Sequence, residues 1–444
     1  MKKIVTLFFL VMFVSQSFGS GFQINEHGAR AMGMGGAFTG LANDPSAVYF
    51  NPAGIVQLKG THFSIGSTLI MPTSQFTGPD PLTTVSKLKS AVFTPINFYF
   101  TQELTPDLYV GFGVNNPWGL GTTWEDGWAG KYMAIETEIR TFNFSPVVAY
   151  KLTNELSAAV GFNLFYSDVL IAKSIEVIAP KPGVASLFKY GDAKISMEGD
   201  KIGYGFNAAL FYQATKSLSF GLSFKSQVKL EYKGTATTTW DTTGSNIHPA
   251  VYPVVNAGLK RFSGDISAPL TTPMVIQFGT AYKFYNSCNE NNLTLSADFQ
   301  YNGWKSYEQL EVTFADTFSS SVREYKNSFI GRLGAEFVAS EQFTVRGGLL
   351  YDQNPVKDEK LDPTLPDADR IGINIGLSYK ITENLSVDFA YLYLMFMERT
   401  ITTSLEKPYP NKYHALLSPS DPTVFNGTYK SSAHLIGLNL NYAL

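Results

Sequence analysis

Apolar and polar residues alternate along this chain over stretches of about twelve to seventeen residues, and few folds can use such a pattern. From Leu218 the even positions read Leu218, Phe220, Leu222, Phe224, Ser226, Val228, Leu230 and Tyr232. The odd positions read Ser219, Gly221, Ser223, Lys225, Gln227, Lys229 and Glu231. A period of two puts one set on each face of an extended strand. The pattern closes the chain too, with Ile436, Leu438, Leu440, Tyr442 and Leu444 set against Gly437, Asn439, Asn441 and Ala443. It recurs in segments 202–212, 274–284, 293–301, 329–337, 343–351, 371–379 and 385–397, and more weakly near 61–71, 92–102, 107–116, 137–152 and 155–171. The total is about fourteen strands. Strands of soluble domains average about five or six residues, whereas a tilted strand needs about 9–11 to cross hydrocarbon. Connections alternate between short (103–106, 153–154, 215–216, 286–290, 339–341, 382–383) and long (72–91, 117–136, 172–200, 234–270, 307–322, 357–369, 401–426). The expected fold is all-β: an antiparallel transmembrane barrel with short turns at one end and long loops at the other. Closure pairs every backbone group in the membrane. The apolar parity should then face lipid and the polar parity the lumen, with Lys225 and Lys229 turned inward and paired with Glu231 and other inward groups.

The 444 residues carry a net charge of −3, which gives no basic surface for nucleic acid. Lys2 and Lys3, the apolar run Ile4 to Val14 and the small residues Ser17 and Gly19 read as a secretory signal over residues 1–19. The single cysteine, Cys288, excludes a disulfide framework and reads as a turn residue. No later window is long and apolar enough for a membrane helix. His27, His62, His248, His414 and His434 show no metal-ligand spacing, and Gly33 to Gly36 lacks the strand and Lys-Ser/Thr of a phosphate loop. His434 sits on the apolar parity of the last strand, which disfavours a hydrolase site in the wall. No cofactor, metal or catalytic residue is expected.

About fourteen strands enclose more space than side chains alone fill, since roughly eight give a filled barrel. Residues 20–60 have no strand pattern, are rich in Gly and Ala, and end on Asn51, Pro52, Ala53 and Gly54. They read as a hatch inside the lumen, with residues 61–444 as the barrel; an ordinary periplasmic extension ending in an Asn-Pro turn is the alternative.

SGFQINEHGARAMGMGGAFTGLANDPSAVYFNPAG, from Ser20, resembles the mature start of the outer-membrane long-chain fatty acid transporter family, which includes aromatic-hydrocarbon uptake channels. VGFGVNNPWGL, KYMAIETEIRTFNFSPVVAYKL, LSAAVGFNLFYSDV, RGGLLYDQNPV, PDADR and GLNLNYAL are similar to family segments in the same order. The resemblance implies a fourteen-stranded barrel with an N-terminal hatch in the Gram-negative outer membrane, among lipid and lipopolysaccharide. It further implies passive uptake of a hydrophobic small molecule through a pocket near Phe22, with sideways release at a kink in the third strand, here Asn115, Asn116, Pro117, Trp118 and Gly119. Pro117 interrupts a strand; starting the following loop is its other reading. Trp118, Trp124 and Trp128 suit a greasy landing groove or, alternatively, an interfacial aromatic girdle. A fatty acid carboxylate entering an apolar lumen needs a basic partner. By resemblance that is Lys173, and more loosely Arg323, each of which also reads as a solvated loop residue. The chain departs from its relatives in ending on Leu444 rather than Phe, although Tyr442 keeps an aromatic in phase. Long-chain fatty acids are the first expectation and neutral aromatic or aliphatic hydrocarbons the alternative. A general porin, an adhesin or an enzyme ranks behind both.

Overall fold

The computed structural model describes residues 21–79, 83–184, 186–243, 247–286, 290–409, 411, 413–418 and 420–444. The expected signal segment and Cys288 lie outside them. Fourteen wall strands follow one another: β1 (Thr61–Thr77), β2 (Ile96–Glu103), β3 (Leu108–Asn115, resuming as Gly119–Thr123), β4 (Glu136–Lys151), β5 (Leu156–Pro180), β6 (Leu187–Gln213), β7 (Leu218–Lys225, resuming as Lys229–Trp240), β8 (Gly264–Thr271, then Val275–Tyr285), β9 (Asn291–Asn302, then Gln309–Phe314), β10 (Phe318–Val322, then Ser328–Val338), β11 (Phe343–Asp352), β12 (Arg370–Lys380), β13 (Leu385–Phe396) and β14 (Gly427–Ala443). Each pairs antiparallel with the next. β14 closes on β1 from His62↔Ala443 to Thr77↔Thr428, so the sheet closes into a barrel. No described helix is long and apolar enough to cross a membrane.

The alternation sorts side chains as the sequence requires. Ile65, Phe162, Phe206, Phe278, Phe299, Ile375 and Leu438 are exposed on the outside, while Ser64, Asn143, Ser219, Gln277, Asn374 and Asn439 are buried within. β7 holds a correction. Residues 226–228 leave the ladder, and where the strand resumes its faces have exchanged. Val228, Leu230 and Tyr232 are buried in the lumen; Lys229 and Glu231 are exposed on the outer face. A slip of one residue moves every following side chain to the other face. Lys225 does point inward, but it donates to Gln277 Oε1 at 2.8 Å and lies 4.1 Å from the Tyr49 ring centre rather than pairing with Glu231. β8 exchanges faces at residues 272–274, so Leu270 also turns in. Below the slip the greasy face meets lipid; above it the same face lines the lumen. The second correction concerns 172–200, expected as a loop. β5 and β6 run on through it, paired as far as Pro180↔Leu187.

Residues 21–57 lie inside the barrel as α1 (Ala29–Gly33), α2 (Ala47–Phe50) and a 3-10 turn, Pro52–Gln57, almost wholly buried. Polar inner-face residues satisfy their backbone, as buried amides and carbonyls require. Asp298 accepts from the Phe38 and Thr39 amides at 3.0 and 2.7 Å, and Ser219 and Ser296 donate to Gly40 and Ala37 carbonyls at 2.7 Å. Arg30 binds Glu336 at 2.8 Å, and Glu336 is shared with Arg346 at 2.6 Å. The NPAG stretch closes this package. Asn51 Nδ2 donates to Thr39 and Leu210 carbonyls at 3.0 and 3.1 Å, its Oδ1 accepts from the Ala53 amide at 3.2 Å, and Ser157 donates to the Ala53 carbonyl at 2.8 Å. A Cβ on Gly54 would stand 2.4 Å from Ala42 Cβ, so glycine alone fits there.

Candidate functional site

Pro117 lies in a true gap of the wall. β3 pairs with β2 as far as Asn97↔Asn115, leaves the ladder, and resumes at Gly119 in a ladder with β4 that no longer includes β2. Proline supplies no amide to continue the ladder, and the neighbouring polar groups find other partners. Asn116 accepts from the Ile96 amide at 2.7 Å and donates to the Thr141 carbonyl at 2.6 Å. Thr141 Oγ1 receives the Trp118 amide at 3.1 Å. The inner side of the gap is occupied by the start of the internal segment. Ile24 donates its amide to the Pro117 carbonyl at 3.0 Å, and Gly119 donates to the Phe22 carbonyl at 2.9 Å.

A cavity of about 610 Å³ runs along this gap, within the range of small-molecule sites. Phe22 and Gln23 floor it, Trp118, Leu120 and Ile139 form the β3–β4 side, and Val92 and Ile96 stand at its outer mouth. Val92 and Ile96 are 59% and 45% exposed, so the cavity reaches the protein surface at this end. Continuous with it is one apolar cluster that includes Phe22, Trp118, Leu230, Tyr232, Leu270, Trp304, Tyr307 and Tyr325. The face exchange in β7 and β8 supplies part of it.

Of the expected site residues, Phe22, Asn116, Trp118 and Gly119 line the cavity, and Asn115 is buried beside the break. Trp124 and Trp128 do not line it. They stack at 4.1 Å, are 0% and 4% exposed, and donate their indole N–H groups to Pro363 and Ala134 carbonyls. They form the packed underside of the outer loops, where neither an open groove nor a lipid-facing girdle would put them. Lys173 and Arg323 do not line the cavity but share one neighbourhood: both feel the charge of Asp362. Arg323 is buried, ion-paired with Asp362 and within 3.4 Å of Thr364. Beside them burial and Asp362 push the Glu406 carboxyl up to about 7.

Three residues of the site were not singled out in the sequence. Thr141 looks like an ordinary inward strand residue. Arg370 lines the cavity, donates to the Gly21 carbonyl at 2.9 Å and binds Asp367 at 2.8 Å, which in turn accepts from the Gly21 amide at 2.9 Å. Its only hint was its place in PDADR. Trp304 packs 4.8 Å from Phe22 and 5.7 Å from Trp118. Among the described residues no group of three or more His, Cys, Asp or Glu is placed to hold a metal ion.

Residues 10–444 match the family described as outer membrane protein transport protein (OMPP1/FadL/TodX). A curated relative, the long-chain fatty acid transport protein of Escherichia coli O6:H1, is 24% identical over 97% of this chain and 95% of its own. Among solved structures, a Pseudomonas aeruginosa FadL homologue superposes with a TM-score of 0.80 at 19% identity, covering 96% of this chain and 100% of that one. The toluene transporter TodX of Pseudomonas putida superposes at 0.70 and 15% identity, covering 96% and 99%. These likenesses establish the fold.

Proposed function

We propose, from the premise that the chain belongs to the outer membrane protein transport protein family, that its internal segment is a hatch and its cavity a sideways exit to the bilayer. The protein is a β-barrel of the Gram-negative outer membrane and a channel for hydrophobic compounds. In this reading substrate collects in the apolar chamber under the outer loops, enters the cavity beside Phe22, and leaves between β2 and β3 at Asn115–Gly119. No chemistry is done on it. The cavity carries the reading, because its walls run from Phe22 to the exposed Val92 and Ile96. The direction makes physical sense, since an apolar molecule gains by passing to lipid rather than water.

The curated relative is named for long-chain fatty acids, and we propose that class first, with Lys173 meeting the carboxylate. A specific observation favours a second reading: Arg323, the other basic residue of that neighbourhood, is already neutralised by Asp362. A chamber whose arginine is internally paired suits neutral aromatic or aliphatic hydrocarbons. Uptake of a labelled long-chain fatty acid by cells lacking their own transporter, with this protein and with Lys173→Ala, separates the two. Protein-dependent uptake that falls in the variant supports the fatty-acid reading. Uptake indifferent to Lys173 removes that headgroup site, and uptake of alkylbenzene alone establishes the neutral class.

A further inference from the structure

The wall is interrupted again on β9, six strands round from β3. Asn302 still pairs with Val275 and Ser328, but the chain then turns through Trp304–Ser306 and rejoins a ladder only at Gln309. That turn aims Trp304 into the lumen, fully buried, with its ring centre 4.8 Å from Phe22, 5.7 Å from Trp118 and 5.8 Å from Tyr325. Phe22 therefore touches a ring from each break: Trp118 on β3, at 6.0 Å, and Trp304 on β9. Gly21 is shaped to this contact. Its φ is +62°, and a Cβ there would stand 2.7 Å from Trp304 Cζ2. Four residues before Trp304, Gln300 donates to Gln23 Oε1 at 3.0 Å, so the same strand grips the next residue of the segment. Trp304 Nε1 has no hydrogen-bond partner among the described residues, so packing of the ring, not its polar atom, sets its position.

We propose that Trp304 is a positioning residue for transport: its ring is the fixed stop that holds Phe22, and with it residues 22–25, against the β3 break. The inference rests on the lateral exit proposed above. Loss of the stop frees Ile24 from the Pro117 carbonyl and leaves the inner side of the exit uncovered.

The test reads that release without any substrate, so it fails separately from the transport reading. In a Cys288→Ala background, Ile24→Cys supplies a single thiol, and its rate of modification by a small maleimide is measured in isolated outer membranes. Trp304→Ala is expected to speed labelling several-fold and Trp304→Phe to leave it near the parent rate. Phe22→Ala is expected to speed it as well, with no further gain when Trp304→Ala is added, since one residue acts through the other. An unchanged rate in Trp304→Ala, a Trp304→Phe variant as fast as Trp304→Ala, or additive effects of the Phe22 and Trp304 changes would each overturn the proposal. If Trp304→Ala does not assemble, Trp304→Leu, which keeps apolar bulk without the ring, is read against the same outcomes.

Discussion

Asn51 holds three separate backbone groups, the Thr39 and Leu210 carbonyls and the Ala53 amide. Asn51→Ala leaves them without that partner inside the barrel, at a cost of about 1–3 kcal/mol for an unsatisfied buried group. Residues 21–57 should be digested faster in the variant while the wall strands stay resistant, measured by limited digestion of folded protein. Equal resistance in both would mean the turn is held by packing alone. Arg323 gives a prediction about selectivity. Asp362→Asn removes its ion-pair partner, so uptake of a fatty acid anion should rise relative to that of an alkylbenzene of similar size. An unchanged ratio in competition assays would take Arg323 out of substrate choice.

Two elements carry the transport reading, the β3 break and the loop over the apolar chamber. Thr141 bridges the break through the Trp118 amide, and Thr141→Val deletes that bond with little change of volume. Lateral passage should change, seen as altered uptake at equal amounts of heat-modifiable barrel, with no gain in sugar flux. Glu406, in the 401–426 loop, titrates near 7 because burial and Asp362 favour its neutral form. Between its ordinary carboxylate range and about 7 the folded loop holds more protons than the unfolded one, so loop stability falls as pH rises through that window. Protease nicking in 401–426 should therefore quicken from pH 5 to pH 8, and Glu406→Gln should flatten the profile. A profile as steep in the variant would assign the effect to another group. The elements also show where sequence reading stops. Fourteen strands were legible because each keeps a period of two over at least part of its length. The face exchange at 226–228 was not, because Leu230 and Tyr232 remain in phase by number whether the strand slips or not. The continuation of β5 and β6 to Pro180 and Leu187 was hidden by weak alternation in 172–200.

For the whole molecule, one alternating sequence serves two solvents. In the membrane it turns apolar side chains to lipid; above the slip in β7 and β8 it turns them inward over the internal segment. Pro117 pointed to the break in β3 because proline cannot continue a ladder. Trp304 did not, since a tryptophan after Gly303 reads equally well as a strand end at the membrane surface. Trp124 and Trp128 were visible as an aromatic group, but their place under the loops depends on carbonyls more than two hundred residues away in one case and six in the other. We propose that hydrophobic molecules leave through the cavity at the β3 break. Gly119 lines that cavity, and a Cβ there would stand 2.6 Å from Ile24 Cδ1, so Gly119→Leu fills the passage from within. The decisive measurement is uptake of labelled fatty acid and alkylbenzene by transporter-deficient cells carrying equal amounts of inserted parent or Gly119→Leu protein. Uptake with the parent and a several-fold loss with the variant are expected for whichever substrate is carried. Undiminished uptake through the filled passage would contradict it.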